Sequence, residues 1–292
     1  MPTYRYRVVD VFTEVPMEGN PLAVFPDATG LDTATMQCIA KELNLSETAF
    51  VVPTTRPGCD IGVRIFTPTR EMLFAGHPTI GTSWVLLDEG LVSRGSEHFT
   101  LDEKIGPVPI RVDAGERPLI WLSTPPIEFR NTADRSLCAR VLGLNLADLL
   151  DIPPQDVGTG NAIAFIPLRS TDAVDRAWIE LPGVAELKAA LRTEAPVLSV
   201  FVFTPRASGA YSRMFAPENG IVEDPATGGA TGPLAAYMLA HSLAPGTRWI
   251  SEQGVKMGRR SLLHVQIRGD RGSETFDVGG HVTPLVEATM RF

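Results

Sequence analysis

The sequence is poor in cysteine, and its three cysteines form no recognisable pattern. Cys38, Cys59 and Cys138 include no C-x-x-C pair, and their number is odd. A disulfide framework needs paired cysteines in an oxidising compartment, so these residues indicate free thiols. The first residues also lack the apolar stretch of a secretory signal, which favours a cytoplasmic location. Cys38 falls inside a helical pattern and is expected in the core.

Long apolar runs and clusters of basic residues are also missing. No stretch reaches the roughly 18 apolar residues that a membrane-spanning helix needs. Lysine and arginine number 26 against 34 aspartates and glutamates, which gives a net charge of −8. These features predict a protein that binds neither nucleic acid nor a membrane. With 44% hydrophobic residues over 292 positions, the chain can bury one large core or two of ordinary size.

A motif in the first half of the chain returns in the second half. Arg64-Ile65-Phe66-Thr67-Pro68 leads to Gly76-His77-Pro78-Thr79, and Arg213-Met214-Phe215-Ala216-Pro217 leads to Gly228-Gly229-Ala230-Thr231. Each glycine loop precedes a small, apolar stretch that is typical of a buried helix. A repeat at half the chain length predicts two similar domains, and chance similarity between two glycine-rich turns is the alternative. Because helix starts offer unpaired N–H groups, we expect both loops to face an anion in one cleft.

Several motifs of cofactor and nucleophile chemistry are absent. The five histidines are scattered without the spacing of metal ligands, so we expect no metal site. Neither glycine loop continues to the Gly-Lys-Ser/Thr of a P-loop, and no Gly-x-Ser-x-Gly elbow occurs. No cysteine lies in either glycine loop, which excludes a pair of thiol bases there. The remaining prediction is cofactor-free proton transfer on a small anionic metabolite.

Hydrophobic patterns predict more strands than helices. Strands are expected over residues 4–12, 22–25, 49–52, 63–66, 107–111, 119–123, 162–167, 197–203, 263–267 and 280–292. Helices are expected from the cap at Asp32 to Asn44, from both glycine loops, and over residues 133–150 and 184–191. The surplus of strands and the frequent hairpin turns predict an α+β fold of mostly antiparallel sheet. A linker at Pro125-Pro126 divides the chain into domains 1–124 and 127–279.

Three side chains are candidates for proton chemistry. Glu47 lies between a helix and a strand in apolar sequence, and burial of a carboxylate raises its pKa, which suits a general acid/base. His77 could donate to a carboxylate or pass a proton. Asp224 could orient a substrate amine or hydroxyl, or share a proton with Glu47. Their structural alternatives are a solvated glutamate at a strand entrance, a turn histidine and a carboxylate stabilised by a helix dipole.

Five motifs occur in a fixed order along nearly the whole chain. They are Asp10-Val11-Phe12 with residues 19–24, then residues 45–51, 64–68, 75–81 and 223–228, and the closing residues 278–282 fit as well. Together they resemble the PhzF family, the phenazine-biosynthesis-type isomerases. The resemblance implies a diaminopimelate epimerase-like fold, in which two similar domains each wrap a sheet around a central helix, with the active site between them. It also implies that the final strand, 280–292, can return to the first domain.

The resemblance assigns roles by position. The family's proton-moving glutamate, its Gly-His pair, its Glu-Asp-Pro aspartate and its carboxylate-binding glycines match Glu47, Gly76 with His77, Asp224, and Gly228 with Gly229. Many family members carry serine where this chain has Gly229, so one side-chain donor to the carboxylate is lost while the backbone N–H remains. A homodimer and the absence of a cofactor are further expectations from the family.

Three functions are consistent with these residues. In the first, a cofactor-independent isomerase, Glu47 takes a proton from an activated carbon and returns it elsewhere on the same molecule. The second is an amino-acid epimerase or racemase, which needs two bases on opposite faces of the stereocentre and would use Glu47 and Asp224. The third is a non-catalytic metabolite-binding protein on the same fold.

Overall fold

The computed structural model describes residues 2–292, and Met1, where the predicted first domain begins, lies outside them. The chain divides into two compact units. The first comprises the residues up to Ser123 together with Gly279–Phe292, and the second comprises Thr124–Val278. Across the described residues there are eighteen strands and six α-helices, so the fold is of the mixed α+β class.

The elements of the first unit alternate strands with two helices. In chain order they are β1 (Thr3–Val11), β2 (Asn20–Phe25), α1 (Thr33–Leu43), β3 (Thr48–Val52), β4 (Ile61–Phe66), β5 (Glu71–Met72), α2 (Gly76–Asp88), β6 (His98–Glu103), β7 (Gly106–Asp113) and β8 (Leu119–Ser123).

The second unit has a similar order with more helices. Its elements are β9 (Glu128–Thr132), α3 (Arg135–Val141), β10 (Gln155–Gly158), β11 (Ala162–Pro167), α4 (Thr171–Arg176), α5 (Leu181–Leu191), β12 (Leu198–Arg206), β13 (Gly209–Ala216), β14 (Ile221–Asp224), α6 (Gly228–Ala240), β15 (Arg248–Gln253) and β16 (Ser261–Arg268). The chain continues through β17 (Thr275–Gly280) to β18 (Val282–Arg291).

The two units repeat one order of strand pairing. In the first, β2 is parallel to β3, β3 is antiparallel to β4, β4 is parallel to β6, and β6 is antiparallel to β7. In the second, β11, β12, β13, β15 and β16 show the same four relations in the same order. The predicted fold class, two similar domains of mostly antiparallel sheet, is therefore confirmed.

Each unit surrounds one helix that is buried on nearly every side. Eleven of the thirteen residues of α2 and ten of the thirteen residues of α6 are buried. Small residues make this possible. A Cβ at Gly81 of α2 would lie 2.6 Å from a methyl group of Leu22, and one at Gly232 of α6 would lie 2.1 Å from the hydroxyl of Thr124. The glycines therefore let neighbouring side chains approach the helix backbone closely.

The predicted limits of the first helix are confirmed. The Asp32 carboxylate accepts from the Thr35 N–H at 2.8 Å, and Asn44 ends α1 in the left-handed conformation with φ of 50°. The prediction that Cys38 is in the core is wrong, because its side chain is exposed. Met36, Ile39 and Ala40 form the buried stripe of the helix, and Cys38 lies outside it.

The predicted helix over residues 133–150 is wrong in length. The α-helix ends at Val141, and a single 3-10 turn, Leu146–Asp148, follows. Gly143 adopts φ of 68°, and the Leu144 N–H donates to the Ala139 carbonyl at 2.8 Å. This is the left-handed glycine stop that closes helix C-termini, and it overrides the hydrophobic periodicity that continues beyond it.

The final strand begins later than the predicted residue 280. Gly280 belongs to β17, and the chain bends at His281, whose carbonyl accepts from the Phe12 N–H at 2.8 Å. From Val282 onward, β18 runs antiparallel to β1 along its whole length. None of the helices in the described part of the chain combines the length and the apolar character that crossing a bilayer requires.

Candidate active site

Glu47 lies directly before β3 in the first unit. Strand β3 is held between β2 and β4, with Thr48 beside Ala23 and Phe66. This pairing fixes the backbone at the point where the Glu47 side chain leaves it. The side chain is 15% exposed, and its Oε2 lies 3.5 Å from Nε2 of His77. Glu47 is therefore mostly shielded from water and faces an imidazole.

His77 is the second residue of α2 and is buried. Its ring bonds the backbone of Pro21, and because proline has no N–H, the imidazole must donate to the Pro21 carbonyl. Nε2 has no hydrogen-bond partner in residues 2–292, so we assign the donor to Nδ1. Burial lowers the pKa of His77 to about 3. The ring is thus neutral near neutral pH, and its unprotonated Nε2 lies 3.5 Å from the Glu47 carboxylate.

Asp224 ends β14 in the second unit, four residues before α6 begins. The Thr227 hydroxyl donates to the Asp224 carboxylate. Buried Gln253 crosses this turn, because its Nε2 donates to the Asp224 carbonyl at 2.7 Å and its Oε1 accepts from the Thr227 N–H at 3.2 Å. Gln253 therefore fixes the loop that carries Asp224 into the helix.

Both glycine loops open helices, as the sequence predicts. Helix α2 begins at Gly76 and helix α6 begins at Gly228, with Gly229 second. Within residues 2–292, no side chain caps either start. The first backbone N–H groups of each helix are thus left to other acceptors, which suits an anion.

The structure brings some of the predicted residues together within each unit. In the first, Glu47 meets His77 beside Gly76. In the second, Asp224 precedes Gly228 and Gly229. That both groups act in one cleft stays a prediction. Among residues 2–292 no three His, Cys, Asp or Glu side chains are grouped so as to hold a metal ion.

The internal repeat extends to an arginine–glutamate pair beside each helix start. In the first unit, Nε of Arg64 lies 2.7 Å from Oε1 of Glu71. In the second, Arg213 binds Glu223 through two bonds of 2.9 and 2.8 Å. Each glutamate stands five positions before the glycine that opens the helix. Both arginines belong to the repeated motif, whereas their pairing with these glutamates was not predicted.

Strand register then shows that the two candidate carboxylates are not equivalent in the repeat. Asp224 pairs with Met214. The equivalent of Met214 in the first unit is Ile65, which pairs with Met72, so Met72 occupies the position of Asp224. Phe66 and Phe215 are equivalent in the repeat. Each pairs with the residue of β3 or β12 that directly follows Glu47 or Ser199, so Glu47 and Ser199 are equivalent too. Each unit therefore carries its candidate carboxylate at a different place in the repeat.

The position where the resemblance places a serine in many family members has room for one in this chain. A Cβ added at Gly229 would have no atom of the described residues within 4 Å, and the backbone there has no positive φ. We expect Gly229→Ser to fold normally and to gain up to about 0.5 kcal/mol, because glycine disfavours helices. Gly232→Ser, in the same helix, should instead cost about 1–3 kcal/mol by overpacking against Thr124. Thermal unfolding of both variants checks this, and equal losses would contradict it.

Sequence comparison identifies the family. A profile described as phenazine biosynthesis-like protein (PhzC-PhzF) matches residues 9–288. The trans-2,3-dihydro-3-hydroxyanthranilate isomerase of Pseudomonas aeruginosa is 33% identical over 91% of both chains. An uncharacterized isomerase of Mesorhizobium japonicum is 35% identical over 99% of both chains. The chain therefore belongs to the phenazine biosynthesis-like (PhzF) family and is an isomerase, as the resemblance predicts.

Solved structures agree with this assignment. A phenazine biosynthesis protein of the PhzF family from Bacillus anthracis has a TM-score of 0.88 and 27% identity, with all of both chains covered. A hydroxyproline epimerase from Agrobacterium vitis shares the fold alone, with 13% identity and a TM-score of 0.65 over 99% of this chain and 92% of that one. The predicted epimerase-like architecture is confirmed.

Proposed function

We propose that this isomerase moves a proton within a small carboxylate-bearing metabolite, with Glu47 as the general acid/base and without a cofactor. The observation that carries the proposal is the Glu47 carboxylate, 15% exposed and 3.5 Å from His77. Because the imidazole is neutral and its unprotonated Nε2 lies 3.5 Å from Glu47, it can accept a hydrogen bond from the protonated carboxyl. After Glu47 has given its proton away, the same unprotonated nitrogen lies near a negative oxygen, which favours taking a proton back.

The proposed reaction needs no external reagent. Ionised Glu47 takes a proton from a carbon, and the electron pair of that C–H bond moves into a conjugated carboxylate or carbonyl. The proton then returns from Glu47 to another carbon, so the double bond migrates and the atoms balance. The helix starts at Gly76 and Gly228 would hold the substrate carboxylate and the developing negative charge. Asp224 would orient an amine or hydroxyl of the substrate.

The epimerase alternative is less well supported. Direct inversion of one carbon uses two bases that do similar work on opposite faces. In this chain the repeat equivalents of Glu47 and Asp224 are Ser199 and Met72, which are not bases. The chain also has no cysteine in either glycine loop. These differences favour one base that both takes and returns the proton.

The substrate class can be tested with the compound named for the Pseudomonas relative. We expect the protein to catalyse double-bond migration in trans-2,3-dihydro-3-hydroxyanthranilate or in one of a panel of small unsaturated carboxylates, with deuterium taken up from D₂O. Nuclear magnetic resonance spectra of the product give both readouts. Inversion at a single carbon without migration would establish the epimerase instead, and binding without either change would establish a metabolite-binding protein.

We further propose that the chain works in a biosynthetic process as a cytoplasmic homodimer. The free cysteines support a reducing compartment, and the family resemblance supports the dimer. Sedimentation equilibrium at micromolar concentration tests the oligomeric state, and a mass equal to that of one chain would contradict the dimer.

A further inference from the structure

The repeat assigns a counterpart to Gln253, the residue that holds the Asp224 loop. When Arg64 is matched to Arg213, Gly62 of the first unit corresponds to Tyr211 of the second. Gly62 pairs in parallel with Asp102, and Tyr211 pairs in parallel with Glu252. Asp102 and Glu252 are therefore equivalent. The next residues along the chain close β6 and β15. They are therefore equivalent: Glu103 in the first unit and Gln253 in the second. A carboxyl group thus stands where the other unit has an amide.

Glu103 is buried in the first unit and contacts the first turn of α2. Its side chain is 1% exposed, and its Oε1 lies 2.6 Å from Oγ1 of Thr79, two residues beyond His77. The other oxygen, Oε2, has no hydrogen-bond partner among residues 2–292. An ionised carboxylate left in this state would be costly, because one buried charged oxygen would be unpaired.

A count of protons at Thr79 points to a neutral Glu103. The single hydroxyl proton of Thr79 has two oxygen neighbours, the Ala75 carbonyl at 2.7 Å and Glu103 at 2.6 Å. The carbonyl can only accept, so if Thr79 donates to it, the short contact with Glu103 needs a proton on the carboxyl. The second unit supports this direction, because the equivalent Thr231 hydroxyl donates to the Thr227 carbonyl at 3.0 Å.

The described residues around Glu103 offer no cation to stabilise its ionised form. On its own strand, Asp102 binds Arg56, and the next residue, Lys104, binds Glu71. The facing residue of β7 is Gly106, and β4 presents Gly62 beside Asp102. On α2 the titratable residue beside Thr79 is neutral His77. Burial consequently raises the pKa of Glu103 to about 8, and the Thr79 bond opposes this only in part.

We propose that Glu103 is a positioning residue, which remains a neutral acid and donates a hydrogen bond to Thr79 so that it holds the first turn of α2 and the His77 carried on it. Ionisation of Glu103 would draw the Thr79 proton away from the Ala75 carbonyl and disturb this turn. The proposal rests on the proposed function only in giving His77 a role in the site, since the bond itself is independent of activity.

The protonation of Glu103 can be observed directly. Infrared spectra of the wild-type protein between pH 6 and 10 should contain a carboxylic-acid carbonyl band that disappears with a midpoint near pH 8. The component with this midpoint should be missing from Glu103→Gln. Because the wild-type titration is informative by itself, the test holds even if the variant folds poorly. The absence of this band at pH 6 would overturn the proposal.

The effect on His77 needs a readout that a merely structural residue would not change. His77 does not titrate near neutral pH, since its pKa is about 3, so it can report on its neighbour. Glu47 lies 3.5 Å from the ring, so the comparison is made in Glu47→Gln, where this carboxyl cannot titrate. We expect the nitrogen resonances of His77 to shift with a midpoint near pH 8 in Glu47→Gln and to stay flat in the double variant Glu47→Gln/Glu103→Gln. A flat titration in Glu47→Gln, or a shift that survives in the double variant, would refute the positioning role.

The same experiments separate this proposal from the proposed function. An active Glu47→Gln enzyme would end the assignment of Glu47 as the base and leave the Glu103 titration unchanged. Conversely, an ionised Glu103 at pH 6 would end the positioning proposal without affecting proton transfer by Glu47.

Discussion

Replacing Glu47 by glutamine is expected to lower kcat about 10²–10⁴-fold on the substrate that the deuterium assay identifies. Glutamine keeps the size and the hydrogen-bonding reach of the side chain, but it can neither take a proton from carbon nor return one. KM should change much less, because the proposed substrate carboxylate is held by backbone N–H groups at the helix starts. Steady-state kinetics at neutral pH measure both parameters.

The control for this experiment is Glu42→Gln. Glu42 is exposed on α1, five residues away, so the variant makes the same chemical change outside the proposed site. It should retain full turnover. Deuterium uptake in the product should disappear together with turnover in Glu47→Gln. A Glu47→Gln enzyme with wild-type kcat would remove the glutamate mechanism.

Because His77 is already neutral, its protonation should produce no change in rate between about pH 5 and 8.

Arg213→Met is expected to destabilise the second unit by about 3–5 kcal/mol. The Arg213 side chain is 4% exposed and Glu223 is 9% exposed, so removing the guanidinium leaves a buried carboxylate without its bidentate partner. Arg213 also donates to the carbonyls of Val174, Asp175 and Ala177 at 2.8–3.1 Å. These acceptors would lose their donor at the same time, which adds to the cost.

The repeat offers a matched control in Arg64→Met. Arg64 is 27% exposed, and its partner Glu71 keeps a second cation, Lys104, at 2.9 Å. Water and Lys104 therefore compensate for much of the loss, and we expect about 1 kcal/mol. Calorimetric and urea-induced unfolding of both variants give the comparison. Losses of the same size would show that burial of the Arg213 pair does not determine its contribution.

Local chemistry allowed much of the fold to be predicted. The carboxylate cap at Asp32 and the left-handed stop at Asn44 bracket α1, and the glycine loops mark the starts of α2 and α6. The error in helix length occurs where two local signals compete. Apolar residues continue in helical register past Val141, but Gly143 takes a positive φ and stops α3 early.

The candidate site was predictable only where side chains belong to recognisable motifs. Glu47, His77 and Asp224 stand in such motifs. The Pro21 carbonyl that orients His77 is a backbone group, and no side-chain pattern marks it. Gln253 and Glu103 lie on strand ends far along the chain from the helices they support. Their roles follow from strand register, which the spacing of the repeat alone does not provide.

The pairing of β18 with β1 has a consequence for how the chain is made. Residues 282–291 leave the ribosome after the whole of the second unit, yet β1 was synthesised at the beginning. During translation, one edge of β1 therefore stays unpaired until β18 has been made. By that time all residues of the second unit have already been synthesised. Although domains are usually completed in N-terminal-first order, this first unit can complete its sheet only after the second unit has been synthesised.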